Sequence, residues 1–158
     1  MASAEKNLST FDSDTIPSGK GKKIGIVISE WNNEITFSLL EGCVSTLLTH
    51  EVKQKNIITL FVPGAFELPL GAQKMLEKGQ VDGVICIGCV IKGDTKHDEY
   101  ISHAVADGIM KLNLKYSKPV IFGVLTPNNQ QQALDRAGGK HGNKGIEAAV
   151  TALKMMAI

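Results

Sequence analysis

The chain has 158 residues, with 17 basic against 16 acidic side chains and a formal net charge of +1 at pH 7. This length suits a single domain with its own hydrophobic core. The balanced charge argues against a nucleic-acid-binding or membrane-surface protein, so neither nucleic acid nor membrane is expected as a partner. No apolar run approaches the roughly 18 residues of a membrane span, and residues 1–22 lack the apolar core of a signal peptide; cytoplasmic residence is therefore expected.

The N-terminal segment differs in character from the remainder of the chain. Residues 1–22 are polar, contain Pro17, Gly19 and Gly21, and show no periodicity. They are predicted to form a flexible or docking tail, followed by one domain over residues 23–158.

From Lys23 onward, apolar β-branched runs alternate with segments whose apolar residues recur at helical spacing. The pattern predicts strands over 23–29, 56–62, 81–91 and 119–125. It predicts helices over 33–51, 65–79, 97–116, about 129–137 and 143–156, with Gly79 ending the second of them. Strands that are apolar nearly throughout indicate an α/β fold, in which a parallel sheet is covered by helices on both faces.

The cysteines Cys43, Cys86 and Cys89 include a pair spaced as in redox or metal motifs, in the stretch "CIGC". That stretch lies in a predicted strand, where residues three apart point to opposite faces. The sequence has no second Cys pair to complete a zinc site. Small buried side chains are therefore favoured over a redox or metal role.

Ligands of open parallel sheets bind beyond the carboxyl ends of the strands, so the residues that follow each strand are candidates. Trp31 lies among polar neighbours after the first strand; it offers a stacking surface for a planar ligand, unless it is half-buried packing. After the second strand, the residues alone favour a core position for Phe66. Glu67 could complement the helix dipole or accept hydrogen bonds from a polyol, and both interpretations stay open.

The stretch "DTKHD" follows the third strand. Thr95 as N-cap and Asp98 three residues later approximate a capping box, and the start of the helix offers free N–H groups suited to phosphate. His97 would lie in the first turn, where the helix dipole favours a neutral imidazole able to accept or donate a proton. A metal site of Asp94, His97 and Asp98 is a less favoured alternative.

A glycine-rich turn, "AGGKHGNKG", joins the last two predicted helices. Arg136 and Lys144, near its two ends, could be solvated charges or anion ligands. The sequence contains no phosphate-binding glycine motif in the required strand–helix context, which argues against a nucleotide-binding loop.

Four ordered segments between about Lys23 and Met156 carry a family resemblance: "SEWNNEIT", "VPGAFELP", "VIKGDTKHDEY" and "FGVLTPNNQQQALDRAGGKHGNKG". Together they resemble the lumazine synthases, which catalyse the penultimate step of riboflavin biosynthesis. The resemblance implies a flavodoxin-like three-layer sandwich with a four-stranded parallel sheet. It implies condensation of 5-amino-6-(D-ribitylamino)uracil with 3,4-dihydroxy-2-butanone 4-phosphate, with release of phosphate and water, and it implies no metal or organic cofactor.

The resemblance also implies residue roles. His97 would be the catalytic, proton-transferring residue. The pyrimidine and ribityl chain would be bound by Trp31, Ala65, Phe66, Glu67, Cys89, Val90, Ile91 and Phe122. The phosphate would be bound by Asp94, Thr95 and Arg136, with supporting roles for Asn32, Gly93 and Lys144. Of these residues, Phe122, Arg136 and Lys144 would come from an adjacent subunit.

The assembly implied by the resemblance is a homo-oligomer built from pentamers that share active sites. Because the glycine-rich turn is short, we expect the pentamers to close into a shell of sixty subunits. An association with riboflavin synthase is left open. The alternatives are a flavin-binding electron-transfer module, whose loop after the first strand would be rich in Ser and Thr, and a scaffold protein without activity.

Overall fold

A four-stranded parallel sheet forms the centre of the molecule. The computed structural model describes Asn7 and residues 9–158. The strands are β1 (Ile24–Ser29), β2 (Ile57–Val62), β3 (Gly83–Cys89) and β4 (Val120–Leu125), in the spatial order β2-β1-β3-β4. All three pairings are parallel, as predicted.

Helices cover both faces of the sheet. They are α1 (Asn33–Thr49), α2 (Leu68–Glu77), α3 (His97–Tyr116), α4 (Gln130–Asp135) and α5 (Lys144–Met155). One apolar cluster joins the sheet to α1 and α5, and a second joins it to α2 and α3. Along β1, Ile24, Ile26 and Ile28 face the first cluster while Val27 faces the second. This arrangement confirms the predicted α/β sandwich of three layers.

Most boundaries fall within a few residues of the prediction, and the differences have local causes. The second helix begins with a 3-10 turn over Ala65–Glu67, because Pro69 is accepted only in the first turn of the α-helix. Gly79 adopts φ +66° just beyond α2, as its predicted terminating role requires. The glycine-rich turn is a small antiparallel hairpin of β5 (Ala137–Gly139) and β6 (Gly142–Asn143).

The described part of the N-terminal segment lies against the domain. Ile16 packs on the α1–α5 side of the core, and the Gly19 N–H donates to the His50 carbonyl oxygen at 2.7 Å. The Ser9 hydroxyl donates to the Asn143 carbonyl oxygen at 3.0 Å, and the Asn143 N–H donates back to that hydroxyl at 2.6 Å. Between the two possibilities left open for the tail, these contacts favour docking; residues 1–6 and Leu8 lie outside the described residues.

The cysteines are free thiols inside the protein. Cys86 belongs to the cluster under α2 and α3, whereas Cys89 belongs to the cluster under α1 and α5, so the two point to opposite faces as predicted. Burial raises the pKa of Cys43 and of Cys86 to about 12, and that of Cys89 to about 11. Protonated thiols on opposite faces support the interpretation as buried packing residues.

Neither a membrane-crossing helix nor a metal-binding cluster of side chains occurs in the described residues. Within Asn7 and 9–158, none of the helices combines the length and apolar character needed to cross a membrane. Across the same residues, no three His, Cys, Asp or Glu side chains converge as a metal-binding group would.

The crossing of α1 and α5 yields a stability prediction. A Cβ added to Gly145 would overlap the Leu39 carbonyl oxygen, a backbone atom that cannot rotate away. Gly145→Ala should therefore lower the free energy of unfolding by about 1–3 kcal/mol, the cost of overpacking, measured by urea unfolding. Lys154→Ala, on the exposed side of the same helix, is the control; equal midpoints for the two variants would contradict the close packing.

Candidate active site

A cavity of about 590 Å³ opens at the carboxyl ends of β1, β2 and β3. It brings together eleven of the residues predicted from the sequence, supplied by three different strand–helix connections. They are Trp31, Asn32, Ala65, Phe66, Glu67, Cys89, Val90, Ile91, Gly93, Thr95 and His97. The edge of the sheet predicted to bind ligand is thus where the candidate residues meet.

The aromatic wall of the cavity is Trp31, which is 70% exposed. It lies against Gly64, where an added Cβ would be 3.5 Å from Cε3 of the indole. Its backbone N–H donates to the Pro63 carbonyl oxygen at 3.1 Å, which continues the β1–β2 pairing beyond the strands. The indole is therefore available as a stacking surface rather than half-buried packing.

Asn32 connects the start of α1 to the end of β3. Its side-chain nitrogen donates to the Cys89 carbonyl oxygen at 2.9 Å. The residue has φ 58°, a left-handed conformation that asparagine tolerates better than most side chains. This link holds the Trp31 loop beside the β3 end of the cavity.

The segment after β2 supplies the acidic wall. Glu67 Oε2 accepts a hydrogen bond from the Gly64 N–H at 3.0 Å, which closes the 3-10 turn and fixes the carboxylate. The core position favoured for Phe66 is wrong, because its side chain is 59% exposed and lines the cavity. Ala65 and Leu68 take the buried positions of this turn, so Phe66 is directed outward.

The loop after β3 ends at His97, the first residue of α3. The predicted capping box is wrong, since the N-cap is Lys96 and no side chain caps the helix. Thr95 and Asp98 line the cavity instead, together with His97. The uncapped N–H groups at the start of a 20-residue helix form an electropositive end beside these side chains.

Four lining residues were not among the sequence candidates for substrate binding: Gly64, Asp98, Tyr100 and Ile101. Asp98 was a candidate only for the capping box and for the less favoured metal site. Tyr100 lies one turn after His97, so helical spacing from the histidine could have indicated it. Ile101 also packs against the apolar cluster under α2 and α3. Gly64 has no side chain, and only the tertiary packing against Trp31 shows its place.

The remaining four predicted residues lie elsewhere in this chain. Asp94 is exposed and does not line the cavity, and Phe122 is half-buried on β4. Arg136 lines a separate depression of about 420 Å³ beside β4 and the hairpin. Lys144 begins α5, close to Arg136, whose carbonyl oxygen accepts the Lys144 N–H at 2.9 Å.

Arg136 and Lys144 share one carboxylate, which the sequence candidates did not include. Glu147 accepts a hydrogen bond from Arg136 Nη2 at 2.8 Å through Oε1 and lies 3.1 Å from Lys144 Nζ through Oε2. Arg136 Nη1 also donates to the His141 carbonyl oxygen at 2.9 Å. Spacing could have suggested the pair of Lys144 and Glu147 on one helix face, but the contact with Arg136 depends on the hairpin.

An aromatic platform, a carboxylate and a histidine at the start of a helix, gathered at the carboxyl edge of a parallel sheet, define an α/β enzyme. The sequence model of the 6,7-dimethyl-8-ribityllumazine synthase family matches residues 21–158. The chain belongs to this family, so the flavodoxin-like class of its fold is confirmed as well.

Curated relatives agree over nearly the whole chain. A protein of Cytophaga hutchinsonii is 58% identical over 157 residues, covering 99% of this chain and 98% of the relative. One of Porphyromonas gingivalis is 54% identical over 155 residues, covering 98% and 96%. One of Phocaeicola vulgatus is 51% identical over 156 residues, covering 99% and 93%. Each is named 6,7-dimethyl-8-ribityllumazine synthase, and the chain accordingly is an enzyme of riboflavin biosynthesis that acts on small molecules.

Proposed function

We propose that the chain condenses 5-amino-6-(D-ribitylamino)uracil with 3,4-dihydroxy-2-butanone 4-phosphate to give 6,7-dimethyl-8-ribityllumazine, phosphate and water. The observation that carries this proposal is one cavity combining a stacking surface, a fixed carboxylate and a histidine at a helix start. Its volume of about 590 Å³ lies within the usual range of small-molecule sites.

The pyrimidine and its ribityl chain fit the half of the cavity between Trp31 and Glu67. The exposed indole stacks on the planar ring, and the free oxygen of Glu67 accepts hydrogen bonds from hydroxyl groups of the polyol. The N–H groups of Val90 and Lys92 donate to β4-side carbonyl oxygens at 2.8 and 2.9 Å. Backbone N–H and C=O groups of an extended chain point alternately to its two sides. The backbone groups of Ile91 therefore point to the β1 side, where the cavity lies.

The phosphate fits the start of α3. Gly93, Thr95 and the first backbone N–H groups of the helix supply donors where the dipole favours an anion. Asp94 is exposed and does not line the cavity, so in this proposal it contributes through its backbone N–H group.

The chemistry requires positioning and proton transfer. The substrate amine attacks the ketone and water leaves to form an imine; loss of phosphate, tautomerisation, ring closure and a second dehydration follow. His97, next to the phosphate end, can accept and return the protons of these steps. Holding two substrates in register supplies a large part of the rate enhancement.

Completion of the site needs a second copy of the chain. Phe122, Arg136 and Lys144 lie outside the cavity of their own chain, so in this proposal an adjacent subunit of a pentamer contributes them. The exposed aromatic side chains Phe66 and Tyr100, which line the cavity, offer a surface for that neighbour. The compact β5–β6 hairpin favours further closure of pentamers into the shell of sixty subunits.

The first functional prediction concerns His97. His97→Ala should lower kcat by about 10²–10⁴-fold or less, measured by fluorescence of the lumazine product. The assembly of this variant should stay folded. His103→Ala, an exposed histidine further along α3, is the matched control and should retain the wild-type rate. An equal loss of kcat in His97→Ala and His103→Ala would contradict the catalytic role of His97. If the wild-type chain formed no lumazine product, the proposed function would be wrong.

Arg136 allows a test of the phosphate contact. Arg136→Ala should raise KM for the phosphate substrate by roughly 10- to 150-fold, the value of a charge-assisted hydrogen bond of about 1.5–3 kcal/mol. KM for the pyrimidine should change much less. A parallel increase for both substrates would contradict the assignment.

Shared sites predict complementation between two chains that are each poorly active when the phosphate substrate is kept far below the KM of the Arg136→Ala variant. His97→Ala and Arg136→Ala chains, co-assembled in equal amounts, should restore activity at about a quarter of the interfaces. Each interface takes His97 from one subunit and Arg136 from the next, and each of these residues is intact with a chance of about one half. Activity equal to the sum of the separate variants would exclude sites built from two subunits.

Sedimentation of the wild-type protein tests the shell: sixty chains of 17.0 kDa give about 1 MDa, whereas a lone pentamer gives about 85 kDa.

A further inference from the structure

Glu147 is one of few charged residues that are buried in the described part of the chain, with 7% of the surface of the whole residue exposed. It lies in the first turn of α5, where the Asn143 side chain caps the helix by accepting the Gly145 N–H at 2.8 Å. The cap fixes the beginning of α5 and therefore the position of Glu147. Each carboxylate oxygen of Glu147 contacts one cation, Arg136 or Lys144.

This cluster is unlike a surface ion pair. The side chains of Arg136 and Lys144 are each 19% exposed, and that of Glu147 is 9% exposed. Removing charges from water is costly, and buried ion clusters are often no more stabilising than apolar side chains of the same volume. Stability alone is therefore a weak reason for the cluster.

The geometry restrains the guanidinium of Arg136 from two sides. Nη2 donates to Glu147 and Nη1 donates to the His141 carbonyl oxygen in the hairpin. A guanidinium has five N–H donors, so three remain, including the Nε–H, for an incoming anion. The two cations and one carboxylate also leave a net charge of +1, which a phosphate would compensate.

We propose that Glu147 is a positioning residue for the phosphate-binding half of the site. It holds Arg136 and Lys144 in the conformation in which they enter the cavity of the adjacent subunit, so that neither side chain has to be ordered when substrate binds. This inference rests on the proposed function, because it requires Arg136 to contact the phosphate substrate.

Two conservative variants separate geometry from charge. Glu147→Asp keeps the charge but withdraws the carboxylate by one methylene, so it should raise KM for the phosphate substrate by about 3- to 10-fold. Glu147→Gln keeps the length and one acceptor oxygen for Arg136, so its KM should rise less. If Glu147 acted only through its charge, Glu147→Asp would be unchanged and Glu147→Gln would bind phosphate more tightly; that result would overturn the proposal.

A double-variant cycle tests whether Glu147 acts through Arg136. In an Arg136→Ala background, Glu147→Asp should raise KM for the phosphate substrate by a smaller factor than in the wild-type background, because only Lys144 is left for Glu147 to position. A merely structural residue would instead lower the fraction of folded enzyme and kcat in both backgrounds, without a selective change in KM, and its effects would add. Glu77→Gln, at the opposite end of the sheet, is the control carboxylate and should leave both KM values unchanged.

The outcomes distinguish this inference from the function on which it rests. If the wild-type chain forms no lumazine, the proposed function fails and the inference fails with it. If Arg136→Ala raises KM for the phosphate substrate but Glu147→Asp does not, only the positioning role is wrong. Inorganic phosphate, used as a competitive inhibitor, gives a second readout. Its inhibition constant should rise in Glu147→Asp by the same factor as KM for the phosphate substrate.

Discussion

Parallel pairing of β1 with both β2 and β3 is the constraint on which the site depends. It places the carboxyl ends of three strands at one edge, so three separate connections must meet there. The β1–β2 pairing continues beyond the strands through the backbone N–H groups of Glu30 and Trp31, and the β3–β4 pairing continues through that of Val90. These hydrogen bonds extend the rigidity of the sheet into the loops that carry the aromatic and acidic walls of the cavity.

The same topology separates Arg136 and Lys144 from the cavity of their own chain. The connection after β4 leads into α4 and the hairpin, which pack on the α1–α5 side of the domain and line a depression separate from the cavity. Arg136 and Lys144 are held there by Glu147 and by backbone contacts of the hairpin. A cluster that is rigid, positively charged and remote from the cavity of its own chain is suited to act on a neighbouring copy.

Local sequence patterns were sufficient for the architecture and for much of the site. Strand and helix periodicities predicted the parallel sheet because β-branched apolar runs and the 3.6-residue spacing are local properties of the chain. The strand-end rule predicted Trp31, Glu67 and His97 at one edge of the sheet, where one cavity brings them together. The opposite burial of Cys86 and Cys89 followed from the two-residue period of a strand.

What only the tertiary structure decided was the direction of individual side chains and their long-range partners. The sequence alone favoured a core position for Phe66, but the 3-10 turn directs its side chain outward. It also favoured Thr95 as the N-cap of α3, but Lys96 occupies that position. The contact between Arg136 and Glu147 spans a hairpin whose register no periodic pattern encodes. Periodicity determines which face of an element is buried, but the path of an irregular loop depends on packing among distant segments, so those placements needed the folded chain.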